Sequence, residues 1–425
     1  MQLTPVTSTT SNSRMTDSLN SNYDVIVIGG GPAGATCGTL LSEFGHRTLI
    51  LERTSFPRFH VGESLIPETY WTLERLGLIE KLKASSFPKK YSVQFFAETG
   101  KPSAPFYFDD YIPADSSRTW QVWRGDFDEM LLNNAAQKGA TVVTEAQVLD
   151  VLFDNDRAVG VKVKTPAGEQ TIASRVIVDA TGQSAFLATR LGLKQPDPKL
   201  KKGAIWTYFK HARRDPGRDE GATLILQTRE KNSWFWFIPL TEEITSIGVT
   251  GDMDYLFSGD RGKPEETFAQ EVERCNPLQE RLVNATRVRD FFTTKDFSYQ
   301  TTKAAGSGWV LIGDAFGFID PIYSTGVFLA LKSGEFAADA IHSAFDSNNF
   351  SAEQLGGWQA EHRRGIDLFR KLVYAFYTPE FSFGMFFRQF PQYRNNMTDL
   401  LMGNVFKPGV DEMFQHMPLE IGGEK

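Results

Sequence analysis

A chain of 425 residues, 41% hydrophobic and 13% aromatic, has material for two domains or one large composite one. Its net charge of −7 and the lack of a long basic run argue against nucleic acid as a partner. Two cysteines, Cys37 and Cys275, and six scattered histidines supply neither a disulfide framework nor metal-ligand spacing, so no metal is expected.

Residues 1–22 are rich in Ser, Thr and Asn and lack the apolar stretch of a signal peptide. A disordered tail is expected there, with Met15 as an alternative start. No apolar run approaches the length of a transmembrane segment, which points to a soluble, cytoplasmic protein. Tyr23–Ile28 then reads as a buried parallel strand, followed at once by a glycine turn in which Gly29, Gly31 and Gly34 fit G-x-G-x-x-G. A helix over Ala35–Phe44, a second strand over Arg47–Leu51 and the acid Glu52 complete a dinucleotide fingerprint. Gly29 makes the tight turn, Gly31 lets backbone approach a pyrophosphate, and Gly34 lets helix and strand pack closely. Glu52 is expected on the ribose hydroxyls, which disfavours a 2′-phosphate and leaves FAD or NAD. Ala33, in the turn, and Arg53, after the acid, are grouped with the cofactor contacts.

Three further segments favour FAD. Phe56–Ser64 is a polar loop containing Gly62, directly after the ribose acid. Gln121–Asp128 leads into a helix expected over Glu129–Gln137, and Ile177–Gly182 is a strand ending in a small-residue turn. Together with Gly313-Asp314, these segments resemble the flavoproteins of the aromatic-hydroxylase superfamily. That resemblance implies FAD lying extended across a split nucleotide domain, with Arg124 on the flavin chain and Asp314 on its pyrophosphate or ribityl region. Only one G-x-G-x-x-G occurs, so no separate NAD(P)H domain is evident. Reducing equivalents enter transiently at the flavin or arrive as reduced flavin made elsewhere.

The middle of the chain reads differently. Ala204–His211, Ala222–Arg229, Ser233–Leu240 and Ile244–Gly251 are short strands rich in aromatic and β-branched residues, as in an antiparallel sheet that carries a substrate pocket. The stretch Trp309–Ile341 begins with an apolar run, Val310-Leu311-Ile312, that reads as a buried strand, and Asp320-Pro321 marks a turn. Ser324-Thr325-Gly326 starts a helix carrying Val327, Leu331, Gly334, Ala338 and Ile341 at helical spacing. Unpaired N–H groups at such a start suit anionic oxygens, a reduced flavin ring or a halide. Asp346–Leu355 reads as a loop with a helix start. Leu368 to Tyr377 and the FSFGMFFRQF segment follow as aromatic helices, for which core packing is favoured over a lid or a lipid-facing surface.

The fold expected is α/β: a discontinuous Rossmann-like FAD-binding domain (23–93, 122–202 and 304–345), an antiparallel β substrate domain (94–121 and 203–303), and a C-terminal helical region (346–425).

Trp234 and Trp236, two apart in a strand, point to one face. The string Trp234-Phe235-Trp236-Phe237-Ile238-Pro239 resembles W-x-W-x-I-P, the signature of flavin-dependent halogenases, and the likeness extends from Tyr23 to about Tyr377. Phe87-Pro88-Lys89-Lys90 is similar to the family's F-x-x-K motif, with Ser92 where glycine is usual. The resemblance implies that Lys90 holds or carries the oxidised halogen, and that Ser324 shapes the chamber beside it. It further implies that the N–H groups of Thr325 and Gly326 bind halide, and that Trp234 and Trp236 keep substrate from the flavin. Halogenases of free tryptophan resemble Glu-Ser-Thr-Gly at this helix start, whereas Tyr323 stands here. A phenol, a pyrrole or a carrier-tethered acyl group is therefore expected. The implied enzyme is a two-component halogenase using reduced FAD (FADH2) from a separate flavin reductase, O2, and chloride or bromide. An FAD-dependent reductase of prenyl lipids or a monooxygenase is the alternative on the same scaffold.

Overall fold

In the computed structural model of the chain, residues 20–379 and 381–417 are described. The tail expected over 1–22 lies outside them except for its last three residues, and the C-terminal region expected to 425 is described to 417.

Labels follow chain order. β1 (Asn22–Ile28), α1 (Pro32–Glu43) and β2 (Thr48–Leu51) are followed by β3 (Lys89–Lys90), β4 (Ser92–Phe96) and β5 (Thr119–Trp120). Next come α2 (Arg124–Gln137), β6 (Thr141–Val143), β7 (Gly168–Asp179), β8 (Lys202–Lys210), β9 (Thr223–Gln227), β10 (Ser233–Pro239) and β11 (Ile244–Asp252). Finally there are β12 (Trp309–Leu311), α3 (Gly326–Asp346), α4 (Gln359–Tyr377) and α5 (Phe383–Gln389).

The apolar run Val25–Ile28 is buried on both faces, as an interior parallel strand must be. It sits at the centre of a sheet ordered β12–β7–β1–β2–β6, all parallel. The hairpin Gln147–Asp154/Arg157–Thr165 adds antiparallel strands at the start of β7. α1 begins at Pro32, three residues before the expected Ala35, because proline at the first helical turn needs no N–H partner and presets its φ. α2 likewise begins at Arg124 rather than Glu129, and an i,i+4 Arg124–Asp128 pair braces its first turn.

The second sheet runs β8–β11–β10–β9 antiparallel, but β9 pairs with β4 in parallel. It is therefore mixed, not purely antiparallel. No hairpin joins β4 to β9: the chain passes through the nucleotide sheet between them, so nothing local imposes antiparallel pairing. β10 divides two cores. Trp234, Trp236 and Ile238 pack into the core shared with the nucleotide sheet, whereas Phe235 and Phe237 join a separate one with Ile247, Val249 and Phe268.

α3 crosses α1 at close range. A Cβ on Gly334 would stand 2.6 Å from the Ala33 carbonyl oxygen, so only glycine permits the crossing. After Asp346 the expected loop leads to a short helix, Ala352–Leu355, capped by Ser351 accepting from the Gln354 N–H. On α4, Leu368, Phe369, Leu372 and Val373 are buried, and Phe386 and Phe387 of α5 are buried in the same core. Core packing is thus what most of these aromatics do.

Candidate active site

The glycine turn after β1 is built for close approach. Gly29 has φ +108°, and a Cβ there would fall 2.4 Å from the Ala180 carbonyl oxygen. A Cβ on Gly34 would fall 2.0 Å from the Gly29 oxygen, whereas one on Gly31 would meet, among the described residues, the Arg58 guanidinium alone within 4 Å, at 3.2 Å. Gly31 therefore opens its backbone to a cleft of about 580 Å³ whose lining includes both Glu52 and Gly326. Of the expected cofactor positions, Gly34 alone is off its lining; Gly29, Gly31, Ala33, Glu52, Arg53, Arg124, Asp314 and Gly326 are on it.

The side chains along this cleft are held before any ligand arrives. Glu52 Oε2 accepts the Gly30 N–H at 2.9 Å, and Oε1 accepts from the Thr54 N–H and hydroxyl at 3.0 and 2.8 Å. Arg124 is buried and forks onto Asp128 at 2.7 and 3.0 Å, and donates to the Val61 carbonyl at 2.7 Å, pinning the Phe56–Ser64 loop to α2. Burial pushes Asp314 up to about 6, against the pull of Arg124. Arg58, not singled out from the sequence, pairs with Asp128 at 3.2 Å and carries a buried Nε without a hydrogen-bond partner. A bare glycine backbone facing a guanidinium at a helix start suits a pyrophosphate, and a cleft of this volume lined by Glu52, Arg124 and Asp314 suits an FAD.

Lys90 lies elsewhere, buried at 2% exposure. A Lys-Lys pair ordinarily belongs to a solvated loop, but here it forms β3 and pairs with β5. The Lys89 carbonyl comes so close to Gly221 that a Cβ there would stand 2.1 Å away. Lys90 Nζ donates to Ser64 Oγ and to the Leu65 carbonyl, both at 2.9 Å, and among the described residues no carboxylate pairs with it. Burial alone lowers its pKa to about 7. The serine it is hydrogen-bonded to is Ser64, in a loop already marked as polar. Ser64 is fixed in turn by Thr223 at 2.9 Å, and Thr223 accepts from Gln121 at 2.8 Å.

Trp234 and Trp236 are buried with centroids 6.3 Å apart, and neither lines the cleft. Trp236 lies over Gly248, where a Cβ would sit 2.2 Å from the indole. Its Nε1 donates to Ser246 at 3.2 Å, and Trp234 Nε1 donates to Tyr377 at 2.8 Å. Beside them Glu63 is buried, accepts the Tyr208 hydroxyl at 2.6 Å and is pushed up to about 7 by burial.

At the start of α3, Ser324 is half-buried with φ +57° and Thr325 is buried. No side chain caps this 21-residue helix, so its first N–H groups stay available beside the cleft that Gly326 lines. Tyr323 is turned away, with its hydroxyl donating to the Leu372 carbonyl at 3.3 Å.

A family model described as FAD binding domain matches residues 22–334. Over 406 residues the chain is 34% identical to a 1H-pyrrole-2-carbonyl-(peptidyl-carrier protein) chlorinase of Pseudomonas fluorescens, spanning 91% of this chain and 90% of that protein. This chain belongs to the flavin-dependent halogenase family. The halogenase is also 33% identical over 388 residues to a 1H-pyrrole-2-carbonyl-(peptidyl-carrier protein) brominase of Pseudoalteromonas luteoviolacea, spanning 91% and 93% of the two chains. Among solved structures, the flavin-dependent brominase Bmp2 superposes with a TM-score of 0.84 at 31% identity, over 93% of this halogenase and 98% of that chain. Membership selects an FAD-dependent halogenase over the reductase and monooxygenase alternatives. Among the described residues no helix is long and apolar enough to cross a membrane.

Proposed function

We propose that this halogenase is the oxygen-using half of a two-component system in the cytoplasm, receiving reduced FAD from a separate flavin reductase and taking chloride or bromide as co-substrate. Its acceptor is an electron-rich ring, a phenol or, in preference, a pyrrole carried as an acyl group on a carrier protein. The relatives named as pyrrole-carrier halogenases support that choice, and so does Tyr323, whose engaged hydroxyl offers no base for deprotonating a less activated ring.

We read the FAD-binding unit as residues 23–91, 122–202 and 304–345, since the parallel sheet draws strands from all three. Its first boundary falls before β4, which belongs to the second sheet. That sheet, with the segment 92–121, forms the substrate side, and the helical region begins after α3.

Bound as reduced FAD, the cofactor supplies the electrons that activate O2. The chain supplies the rest. Thr325 and Gly326 N–H groups at the uncapped helix start hold the halide in the field of the helix dipole. Trp234 and Trp236 fill the space behind the cleft, so that an aromatic acceptor cannot stack on the flavin. The observation that carries the reading is Lys90: an ammonium buried with no counter-ion among the described residues, held by two neutral oxygens, with a pKa of about 7. Such a group gives a strong hydrogen bond to the oxygen of hypohalous acid and surrenders a proton at neutral pH, so it orients and activates the electrophile. Lys90→Met is expected to keep FAD binding and halide-responsive reoxidation of the bound flavin while losing halogenation by at least about a hundredfold. A variant that halogenates at the wild-type rate refutes the role of Lys90.

A further inference from the structure

We infer that Asp320 is a positioning residue that locks the halide-binding turn and Trp234 into one geometry through Tyr377. The inference rests on the halide site proposed above.

Asp320 is buried at 2% exposure and uses both of its oxygens. Oδ1 accepts the N–H of Ile322 at 3.0 Å, inside the turn that leads to Ser324-Thr325-Gly326. Oδ2 accepts the Tyr377 hydroxyl at 3.1 Å, and the oxygen of that hydroxyl accepts Trp234 Nε1–H at 2.8 Å. Three distant pieces of chain meet here: the turn before α3, the last residue of α4, and the middle of the second sheet. From β8, Lys202 places its ammonium 3.8 Å from the Tyr377 ring centroid while pairing with Asp252 at 2.7 Å, so the ring is held from its face as well as by its hydroxyl.

The other tryptophan is anchored differently. Trp236 donates to Ser246, a residue of the neighbouring strand β11, and so stays within its own sheet. Only Trp234 is tied to the turn. That turn needs holding, because Ser324 sits at φ +57°, where a residue with a Cβ is sparsely populated and persists only when its surroundings impose it. The Asp320–Ile322 bond and the Ser324 N–H to Pro321 carbonyl bond at 3.1 Å are what impose it. On the other side of Gly326 the Phe318 ring lies close, since a Cβ built there would stand 3.2 Å from it. Hydrogen-bond donors lose most of their grip once displaced by more than about half an ångström. A relay that fixes the turn therefore fixes the halide donors, and it fixes the wall tryptophan in the same stroke.

The test uses the full-length, FAD-loaded protein and its variants Tyr377→Phe, Asp320→Asn and Trp234→Phe. The halide concentration that half-saturates reoxidation of bound reduced flavin is measured with chloride and with bromide, together with kcat for halogenation, FAD affinity, indole emission and melting temperature. Tyr377→Phe leaves a buried indole N–H without an acceptor. It is expected to raise the half-saturating halide concentration about five- to tenfold, with FAD affinity unchanged and indole emission altered. Asp320→Asn raises it at least as far. The double variant Tyr377→Phe/Trp234→Phe removes donor and acceptor together, and its shift is expected to be smaller than the sum of the single shifts, which a merely structural role does not require. If Tyr377→Phe fails to fold, Trp234→Phe reads out the same relay from its other end. Half-saturation within twofold of wild type in both Tyr377→Phe and Asp320→Asn, with wild type clearly halide-dependent, overturns the relay and leaves the halide site standing. Halogenation by a wild-type protein whose flavin reoxidation ignores halide overturns both.

Discussion

Replacing Lys90 by methionine should make the protein inactive and, near neutral pH, more stable. Methionine is one atom shorter but keeps nearly the volume of the side chain, without the charge. The lysine moves from its ordinary 10.5 to about 7 in the folded chain. Burying its ammonium therefore disfavours the fold by an amount on the order of 5 kcal/mol. Below pH 7 both folded and unfolded chains carry the proton and the whole penalty is present. Between 7 and 10.5 only the unfolded chain carries it, so the penalty shrinks as pH rises and vanishes near the unfolded value. Against this, the variant strands the Leu65 carbonyl and takes one donor from Ser64, which still has Thr223; that loss is about 1–3 kcal/mol. The net expectation is a gain of roughly 2–4 kcal/mol at pH 7, gone by pH 10. Equilibrium urea unfolding of both proteins at matched flavin concentration, at pH 6, 7 and 10, measures it. A variant less stable than wild type at pH 7, or a gain that does not shrink toward pH 10, refutes the argument that this ammonium is buried for its chemistry.

Three other expectations follow from the same contacts. Arg58→Met should weaken FAD binding about tenfold or more, seen by flavin fluorescence titration, because it removes the cation that stands against Gly31; an unchanged affinity places the pyrophosphate elsewhere. Gly248→Ala should drive a methyl into the Trp236 and Trp206 side chains, lowering stability by about 1–3 kcal/mol and altering the near-ultraviolet dichroism of the indoles. Glu63, raised from 4.5 to about 7, costs the fold stability as pH climbs through that window, by about 3 kcal/mol once fully ionised. Glu63→Gln should therefore match wild type near pH 4.5 and exceed it above pH 7; parallel unfolding midpoints across that range contradict the buried, unpaired Oε2.

Much of the cofactor side was legible because its signals are local. Gly29, Gly31 and Gly34 declare backbone requirements within a few residues, and the structure puts two of them on the cleft and the third in the strand–helix contact. The shared face of Trp234 and Trp236 follows from strand periodicity, and the two cores on either side of β10 bear that out. Helix starts were less legible: Pro32 and Arg124 each open a helix inside what reads as a turn. The parallel pairing of β4 with β9 was illegible, since the two strands are joined through another sheet.

The sequence by itself determined the strand–turn–helix that receives a nucleotide, the strand that puts Trp234 and Trp236 on one face, and the helix start that follows Tyr323. These depend on backbone geometry and side-chain period, which act over a handful of neighbours. Only the tertiary structure decided what those groups can do. Lys90 is an acid poised near neutrality because β3 is folded under Gly221 and away from water, and its companion is Ser64, 26 positions earlier in the chain. Trp234 is oriented by a hydroxyl from α4 and a carboxyl from the turn before α3. Desolvation and hydrogen-bond partnership are properties of the assembled surroundings, and no stretch of chain carries them alone.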